Sequence, residues 1–190
     1  EWTGKGKSRK HCHLSAKEAA ALKSLLLGKD TDWVTLTTLL QSRKFSLNAL
    51  LMGPDFLDAV IECYEEKHSE IVFSDFLWTM RSIYLPLFLT MQTELPKADL
   101  YHCVATGYAG VLGAMAKHFY GSRLLISEHG IYTREREEEL IKAKWVAGIY
   151  KNIWIDQFRK MSKLAYNEGI LITSLFEHAR ELQIELGCPV

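Results

Sequence analysis

The chain has 190 residues, 48% of them hydrophobic and 24% charged, which is ordinary for a globular protein with a core of its own. Its 23 basic residues balance 23 acidic ones, so no overall charge favours nucleic acid or an anionic surface as partner. The most apolar stretch, at 83–91, contains Pro86 and is shorter than the roughly 20 residues that a membrane span needs.

The first half of the chain carries helix signals and no strand signals. Ser15 and Glu18 form a capping box, and Pro54 suits the first turn of a helix. Ser74 or Asp75 is predicted to cap a long helix that is apolar nearly all round and should lie centrally in a helical layer. The predicted helices are 15–27, 30–45, 46–52, one that begins at Pro54, and 76–93.

From about residue 96 the pattern changes to short apolar runs, each followed by a helix. Strands are predicted at 100–105, 124–127 and 169–173, and helices at 108–120, 133–145, 150–165 and 174–187. Strands that alternate with helices indicate a parallel sheet and an α/β fold. Three strands are few for a doubly wound sheet, so further strands are expected beyond one or both ends.

Four cysteines, at positions 12, 63, 103 and 188, form no CxxC pair. This spacing indicates reduced thiols in a cytoplasmic protein rather than a disulfide framework. His11, Cys12 and His13 could ligate a metal, but no second cluster completes four ligands. No metal site is therefore predicted.

Polar residues follow two of the predicted strands at the point where each strand ends. Thr106–Tyr108 follows the first strand, and Glu128–Gly130 ends the second. Ligands of open α/β sheets bind beyond the carboxyl ends of the strands, so both segments should face one crevice. Glycine at 107, 110 and 113 could leave backbone N–H groups free for a phosphate, carboxylate or sugar hydroxyl. It could equally let the helix lie close to the sheet, and both can hold.

Three charged side chains could do chemistry in this crevice. His129 could donate a hydrogen bond to a developing oxyanion or a hydroxyl, beside Gly130, which would let substrate approach; a histidine satisfied within the structure is the alternative. Arg134 or Arg136 could clamp a phosphate or carboxylate, although for Arg136 a solvated helix start with local ion pairs is favoured. Residues predicted to pack in the core are His102, Cys103, Trp33, Trp78, Trp145 and Trp154.

The string YHCVATGYAGVLGAMAKHFYGSRLLISEHGIYTRERE, at 101–137, resembles the amino-terminal domain of PelF-type glycosyltransferases. These are family-4, retaining nucleotide-sugar transferases of the GT-B class. The similarity continues through SDFLWTMRSIYLPLF and ILITSLFEHARELQIELGCP, and covers roughly 56–189. It implies a Rossmann-like parallel sheet of a GT-B amino-terminal domain with an added helical layer. It also implies a UDP-sugar donor, first of all UDP-glucose, no metal or other cofactor, and a role in exopolysaccharide synthesis in the bacterial cytoplasm.

The resemblance assigns roles to residues of the crevice. His129 matches a cleft histidine that contacts the donor sugar, and the segment at 106–108 matches a loop on the acceptor side. The resulting catalytic candidates are His129 and Glu128. The resulting substrate-binding candidates are Thr106, Gly107, Tyr108, Gly130, Thr133 and Arg134.

The resemblance also implies that most of the nucleotide is bound by a domain other than this one. A family member should begin with a strand and a glycine-rich loop for the donor phosphates, and nothing before His11 resembles them. A carboxyl-terminal nucleotide-binding domain is expected as partner, together with donor, saccharide acceptor and, as a further option, a complex at the inner membrane; no nucleic acid is expected. The chain is thus predicted to comprise a basic flexible segment at 1–14, a helical part at 15–95 and a β/α part at 96–190. These parts form one domain that lacks elements at both ends and is inactive alone.

A catalytically idle α/β module is the alternative to the enzyme. It would serve as a binding or assembly surface for polysaccharide-synthesis partners, and the missing phosphate loop favours it. A Rossmann-type nucleotide binder without transferase activity lacks its GxGxxG fingerprint.

Overall fold

The fold is described from a computed structural model, which defines residues 13–189. The predicted basic segment at 1–14, with His11 and Cys12, lies outside these residues except for its last two positions. The chain divides into two compact units between Gln92 and Thr93, close to the predicted boundary between the helical and β/α parts. The first unit is helical in its described part, and the second contains a parallel sheet. The predicted α/β fold, with a Rossmann-like sheet and added helices, is confirmed.

The first unit contains the five helices that the sequence predicts. They are α1 (Ala16–Leu27), α2 (Trp33–Gln41), α3 (Leu47–Leu51), α4 (Pro54–Lys67) and α5 (Phe73–Met91). Their apolar faces form a shared core that includes Leu25, Phe56, Ile83 and Phe88, none of which retains exposed surface. Each of these helices is short or amphipathic, so burial of these faces supplies most of its stability.

Helix α1 begins and ends where local chemistry dictates. The Ser15 hydroxyl accepts from the Glu18 N–H at 3.3 Å, while the Ser15 N–H donates to the Glu18 carboxylate at 2.7 Å. These bonds satisfy the backbone N–H groups of Ser15 and Glu18, which at the start of a helix would otherwise be left to water. At the other end Gly28 adopts φ of 70°, a left-handed conformation that costs glycine little.

We expect Ser15→Ala to lower the free energy of unfolding by about 1 kcal/mol at pH 7. Hydrogen bonds from Ser15 lower the pKa of Glu18 in the folded chain, so the stabilisation exists above the unfolded-state pKa and is lost as pH falls through the folded one. The difference between wild type and variant should therefore shrink near pH 3. Urea denaturation at both pH values measures it.

Ser74→Ala is the matched control for this measurement. Its hydroxyl lies 3.4 Å from the neighbouring Asp75 carboxylate and caps no helix. Equal losses of stability in the two variants would contradict the capping assignment.

Helix α5 differs from the prediction at its start and on its outer face. It begins at Phe73 without a side-chain cap, so the predicted capping by Ser74 or Asp75 is wrong. The Phe73 ring packs edge-on against Tyr64 of α4 at 5.1 Å between centroids, and this contact draws the first turn into the helix. Trp78 is 60% exposed, and Leu85 and Leu89 are exposed beside it, so α5 is not buried all round.

The second unit alternates strands and helices. In chain order it contains β1 (Leu100–Cys103), α6 (Gly107–Tyr120), β2 (Arg123–Glu128), α7 (Tyr132–Lys142), α8 (Gly148–Glu168), β3 (Leu171–Ser174) and α9 (Glu177–Glu185). The strands are parallel in the order β1-β2-β3, with Leu100 opposite Arg123 and Leu125 opposite Leu171. Within 13–189 no helix is both long and apolar enough to cross a bilayer.

One face of this sheet is covered closely by α6 and α8. Leu124 and Ile126 of β2 have no exposed surface and pack with Cys103 and Ala165. A Cβ added at Gly110 would lie 2.5 Å from the Ala165 Cβ, nearer than two such atoms approach in real structures. That contact brings α6 close to α8, whereas a Cβ added at Gly113 would overlap the Leu124 side chain of β2. The interpretation that the glycines let the helix lie close to the sheet is therefore confirmed at Gly113.

The other face of the sheet is open. His102 of β1 is exposed there, where its Nε2 lies 3.0 Å from the Ser127 Oγ, and Thr173 donates to the same oxygen at 3.0 Å. Cys103 points to the covered face and is buried. The core prediction is therefore confirmed for Cys103 and wrong for His102, because successive residues of a strand point to opposite faces.

The tryptophans depart from the prediction in a similar way. Trp145 is 78% exposed and Trp78 is exposed as described above, whereas Trp33 and Trp154 are half-buried. Trp154 packs against Phe158 with centroids 5.9 Å apart. The core prediction is thus wrong for Trp78 and Trp145.

The cysteines of the described part are free thiols. Cys63 and Cys103 are buried, and Cys188 is half-buried. Burial raises the pKa of the Cys103 and Cys188 thiols, which keeps them protonated and weakly reactive. None of these three residues forms a disulfide with another described residue, while Cys12 lies outside the described range.

Candidate functional site

The carboxyl ends of β1 and β2 meet as the sequence predicts. The Thr106 hydroxyl, just after β1, donates to a Glu128 carboxylate oxygen at 2.9 Å. Because β1 and β2 are parallel neighbours, the loops that follow them leave the sheet at one edge. The two predicted segments therefore lie side by side.

Glu128 is the centre of a buried polar network at this edge. The residue is 2% exposed, and besides Thr106 its carboxylate accepts from the Tyr166 hydroxyl at 2.6 Å and the Gln183 amide at 3.0 Å. Burying a carboxylate is costly unless hydrogen bonds replace its water. Three donors fulfil that requirement: Thr106 just before α6, Tyr166 of α8 and Gln183 of α9.

A serine in the middle of α8 extends the network. The Ser162 Oγ lies 2.8 Å from the Thr106 Oγ1 and 2.6 Å from the Thr133 Oγ1. Thr106, Thr133 and Ser162 are each at least 99% buried. Hydrogen-bonded groups away from water hold one another in a single geometry, so the starts of α6 and α7 are fixed to the end of β2.

Tyr166 and Gln183 belong to this network but were not singled out from the sequence. Burial and the adjacent Glu128 carboxylate raise the pKa of Tyr166 far above its usual value, so its hydroxyl stays a donor. Gln183 in turn accepts from the Ser174 hydroxyl at the end of β3. Ser174 thus serves the network and does not cap α9, whose N-cap is Phe176. The only signal in the sequence that could have identified Tyr166 and Gln183 is that each is a polar residue on an apolar face of a helix.

His129 stands at the surface directly after the buried Glu128. Its side chain is exposed and makes no hydrogen bond to another residue of 13–189. Both imidazole nitrogens are consequently available to a ligand. The neighbouring Gly130 does not leave open space, because a Cβ there would overlap the Glu135 carboxylate.

The start of α6 is covered by an aromatic side chain. Gly107 has φ of 64°, and the Tyr132 ring lies where its Cβ would be. Arg136 stacks over the same ring, 5.7 Å from its centroid, and pairs with Glu139 at 2.7 Å. Burial raises the pKa of Tyr132 to about 12. The local ion pair predicted for Arg136 is confirmed.

The substrate-binding candidates divide into accessible and inaccessible groups. Thr106 and Thr133 are buried within the network. Arg134 is partly exposed, with its guanidinium shared between Glu137 at 3.4 Å and Glu185 at 3.1 Å. Tyr108 is half-buried, and burial raises the pKa of its hydroxyl. With His129, Tyr108 and Arg134 form the accessible part of the predicted site.

Metal ligands do not converge in the described part of the chain. Among residues 13–189, no three His, Cys, Asp or Glu side chains are grouped so that they could hold an ion. The accessible chemistry of the site is thus that of an imidazole, a phenol and a guanidinium.

Comparison with known proteins gives one match. A family model described as a domain of unknown function matches residues 3–190. No curated protein and no solved structure matches the chain. The family match covers both units and every residue of the candidate site.

Proposed function

Since the chain belongs to the DUF3492 family of domains of unknown function, its own site must indicate what it does, and we propose that it is the acceptor-side domain of a retaining, UDP-sugar-dependent glycosyltransferase. UDP-glucose is the first candidate donor, and exopolysaccharide synthesis in the cytoplasm the proposed setting. The resemblance of the sequence around His129 to PelF-type transferases suggests this activity. The observation that carries the proposal is an exposed histidine at the end of the central strand, next to a buried carboxylate network.

The geometry suits the electrostatic task of sugar transfer. A departing nucleoside diphosphate accumulates negative charge, and donors that are already in position stabilise it best. His129 has no competing hydrogen-bond partner within 13–189, and the adjacent Glu128 is fixed by three donors. The histidine backbone is thereby held while its ring remains free to meet substrate.

The same geometry refines the roles of the other candidates. Glu128 is too deeply buried to touch a sugar, so we assign it to positioning His129. Thr106 and Thr133 act in the same way, through their bonds to the network. Tyr108 and Arg134 remain available for substrate, but Arg134 would have to give up a carboxylate partner to bind phosphate.

A single substitution tests this proposal. In a protein that joins this domain to a nucleotide-binding domain, as the resemblance implies, His129→Ala should reduce release of UDP from UDP-glucose at least tenfold. His118→Ala is the matched control, since His118 is another exposed histidine, near the carboxyl end of α6, away from the loops that follow the strands. Unchanged turnover in the folded His129→Ala protein would refute the catalytic role.

The catalytically idle binding module remains the second candidate because several predicted site residues are already engaged in contacts within the protein.

For the 190-residue chain alone, calorimetric titration with UDP-glucose should show no saturable heat, since the expected nucleotide-binding domain is not part of it. Saturable binding would place phosphate contacts within this chain. It would contradict the proposal that the nucleotide is bound mainly by a separate domain. Retained turnover in the His129→Ala protein would favour the idle module.

A further inference from the structure

The turn between α7 and α8 exposes an unusual group of side chains. The group, here called the α7–α8 tip, consists of the exposed Ile141, Lys142, Lys144 and Trp145 together with the half-buried Lys151. Trp145 is 78% exposed and Ile141 62% exposed, although burial of such side chains normally stabilises a protein by roughly 2 kcal/mol each. Lone exposed hydrophobic residues are common, but a bulky pair surrounded by lysines indicates a contact with something else.

The tip is held in place by the residues around it. Leu140 and Val146, on either side of the exposed pair, are both buried. The Lys151 ammonium donates to the Ile141 carbonyl at 2.8 Å and thereby links α8 to the end of α7. The indole of Trp145 is therefore presented to solvent on an anchored turn.

The tip carries uncompensated positive charge. Glu138 pairs with Lys142 at 3.4 Å, and Glu139 pairs with Arg136 at 2.7 Å, so these two carboxylates in the second half of α7 are already matched. Lys144 and Lys151 form no ion pair within the described residues. Lys144, next to Trp145 in sequence, and Lys151, in the first turn of α8, thus carry positive charge that no ion pair among residues 13–189 balances.

We propose that the α7–α8 tip binds the surface of an anionic lipid bilayer. Tryptophan favours the boundary between water and hydrocarbon, where its ring is apolar and its N–H stays hydrated. Lysines close to an anionic surface each strengthen binding about fivefold. A standard protein interface would need about 800 Å² from each partner, which two apolar side chains on a turn do not supply. A lipid surface fits this small, cationic patch better, and the inference does not depend on the proposed transferase activity.

Vesicle co-sedimentation of the whole 190-residue chain tests the proposal. We expect binding to vesicles of phosphatidylglycerol and phosphatidylcholine, little binding to phosphatidylcholine alone, and weaker binding at high salt. Trp145→Ala should weaken binding at least fivefold, and Lys144→Glu, which reverses a charge, at least tenfold. Circular dichroism verifies that each variant is folded.

Two variants control for hydrophobicity and for charge. Trp78→Ala removes another exposed tryptophan, on α5, and Lys97→Glu reverses another exposed lysine; both should bind like wild type. Absence of vesicle binding would overturn the proposal, and so would binding that Trp145→Ala and Lys144→Glu leave intact. Self-association that Trp145→Ala abolishes, seen by analytical ultracentrifugation without lipid, would identify a second copy as the occupant and would also overturn it.

Discussion

Glu128→Ala is expected to lower the free energy of unfolding by about 3–5 kcal/mol. The truncation removes the acceptor of three buried hydrogen bonds and leaves Thr106, Tyr166 and Gln183 without it. Each buried donor that loses its partner costs about 1–3 kcal/mol, and the vacated volume adds a cavity term. Urea denaturation followed by circular dichroism at pH 7 measures the loss.

Two milder variants distinguish the stability lost with the hydrogen-bond network from the stability lost when any carboxylate is removed. Tyr166→Phe removes one donor and should cost about 1–2 kcal/mol. Glu185→Ala removes an exposed carboxylate that pairs with Arg134 at 3.1 Å, and it should cost less than 1 kcal/mol. If Glu128→Ala were no more destabilising than Glu185→Ala, the network could not be what holds the strand end in place.

The second large effect is expected at the contact between α6 and α8. Gly110→Val should lower the free energy of unfolding by about 3 kcal/mol, at the upper end of the range for overpacking. The new Cβ would lie 2.5 Å from the Ala165 Cβ, which is bonded to the helix backbone and cannot rotate away. Helices α6 and α8 would therefore have to move apart. Thermal or urea unfolding checks the prediction.

A compensating pair makes this prediction specific. In Gly110→Ala the overlap is with a single methyl group, so Ala165→Gly in the same chain should restore much of the lost stability even though it adds a helical glycine. Gly148→Ala, at the first residue of α8 with no atom near the added Cβ, should be neutral or stabilising. A Gly110→Ala variant as stable as wild type would show that α6 can shift at little cost.

Much of the fold could be predicted because it depends on local chemistry. The capping box at Ser15, the proline at the start of α4 and the glycine at Gly121 that ends α6 with φ of 69° each mark a boundary through near neighbours in sequence. Alternation of apolar runs with helices was enough to predict the parallel sheet. The convergence of the loops after β1 and β2 then followed from strand order alone.

The rest depended on contacts between residues far apart in sequence. Helix α5 begins at Phe73, which packs on Tyr64 of α4, whereas the local capping signals at Ser74 and Asp75 predict a later start. Two of the three donors to Glu128, Tyr166 and Gln183, lie 38 and 55 positions away along the chain, on helices whose order in space the sequence does not specify. For the tryptophans, composition predicts average burial but not which members of the set remain at the surface.

The network around Glu128 affects how the site could be copied or altered. A His129 loop placed on another scaffold would carry its sequence but not its rigidity, because the groups that fix it come from the residue before α6 and from α7, α8 and α9. A designer would need to transfer five further positions with the loop: Thr106, Thr133, Ser162, Tyr166 and Gln183. In a library of random variants, Gln183 and Tyr166 should accordingly be as intolerant of replacement as the loop itself, because both are almost fully buried and donate to Glu128.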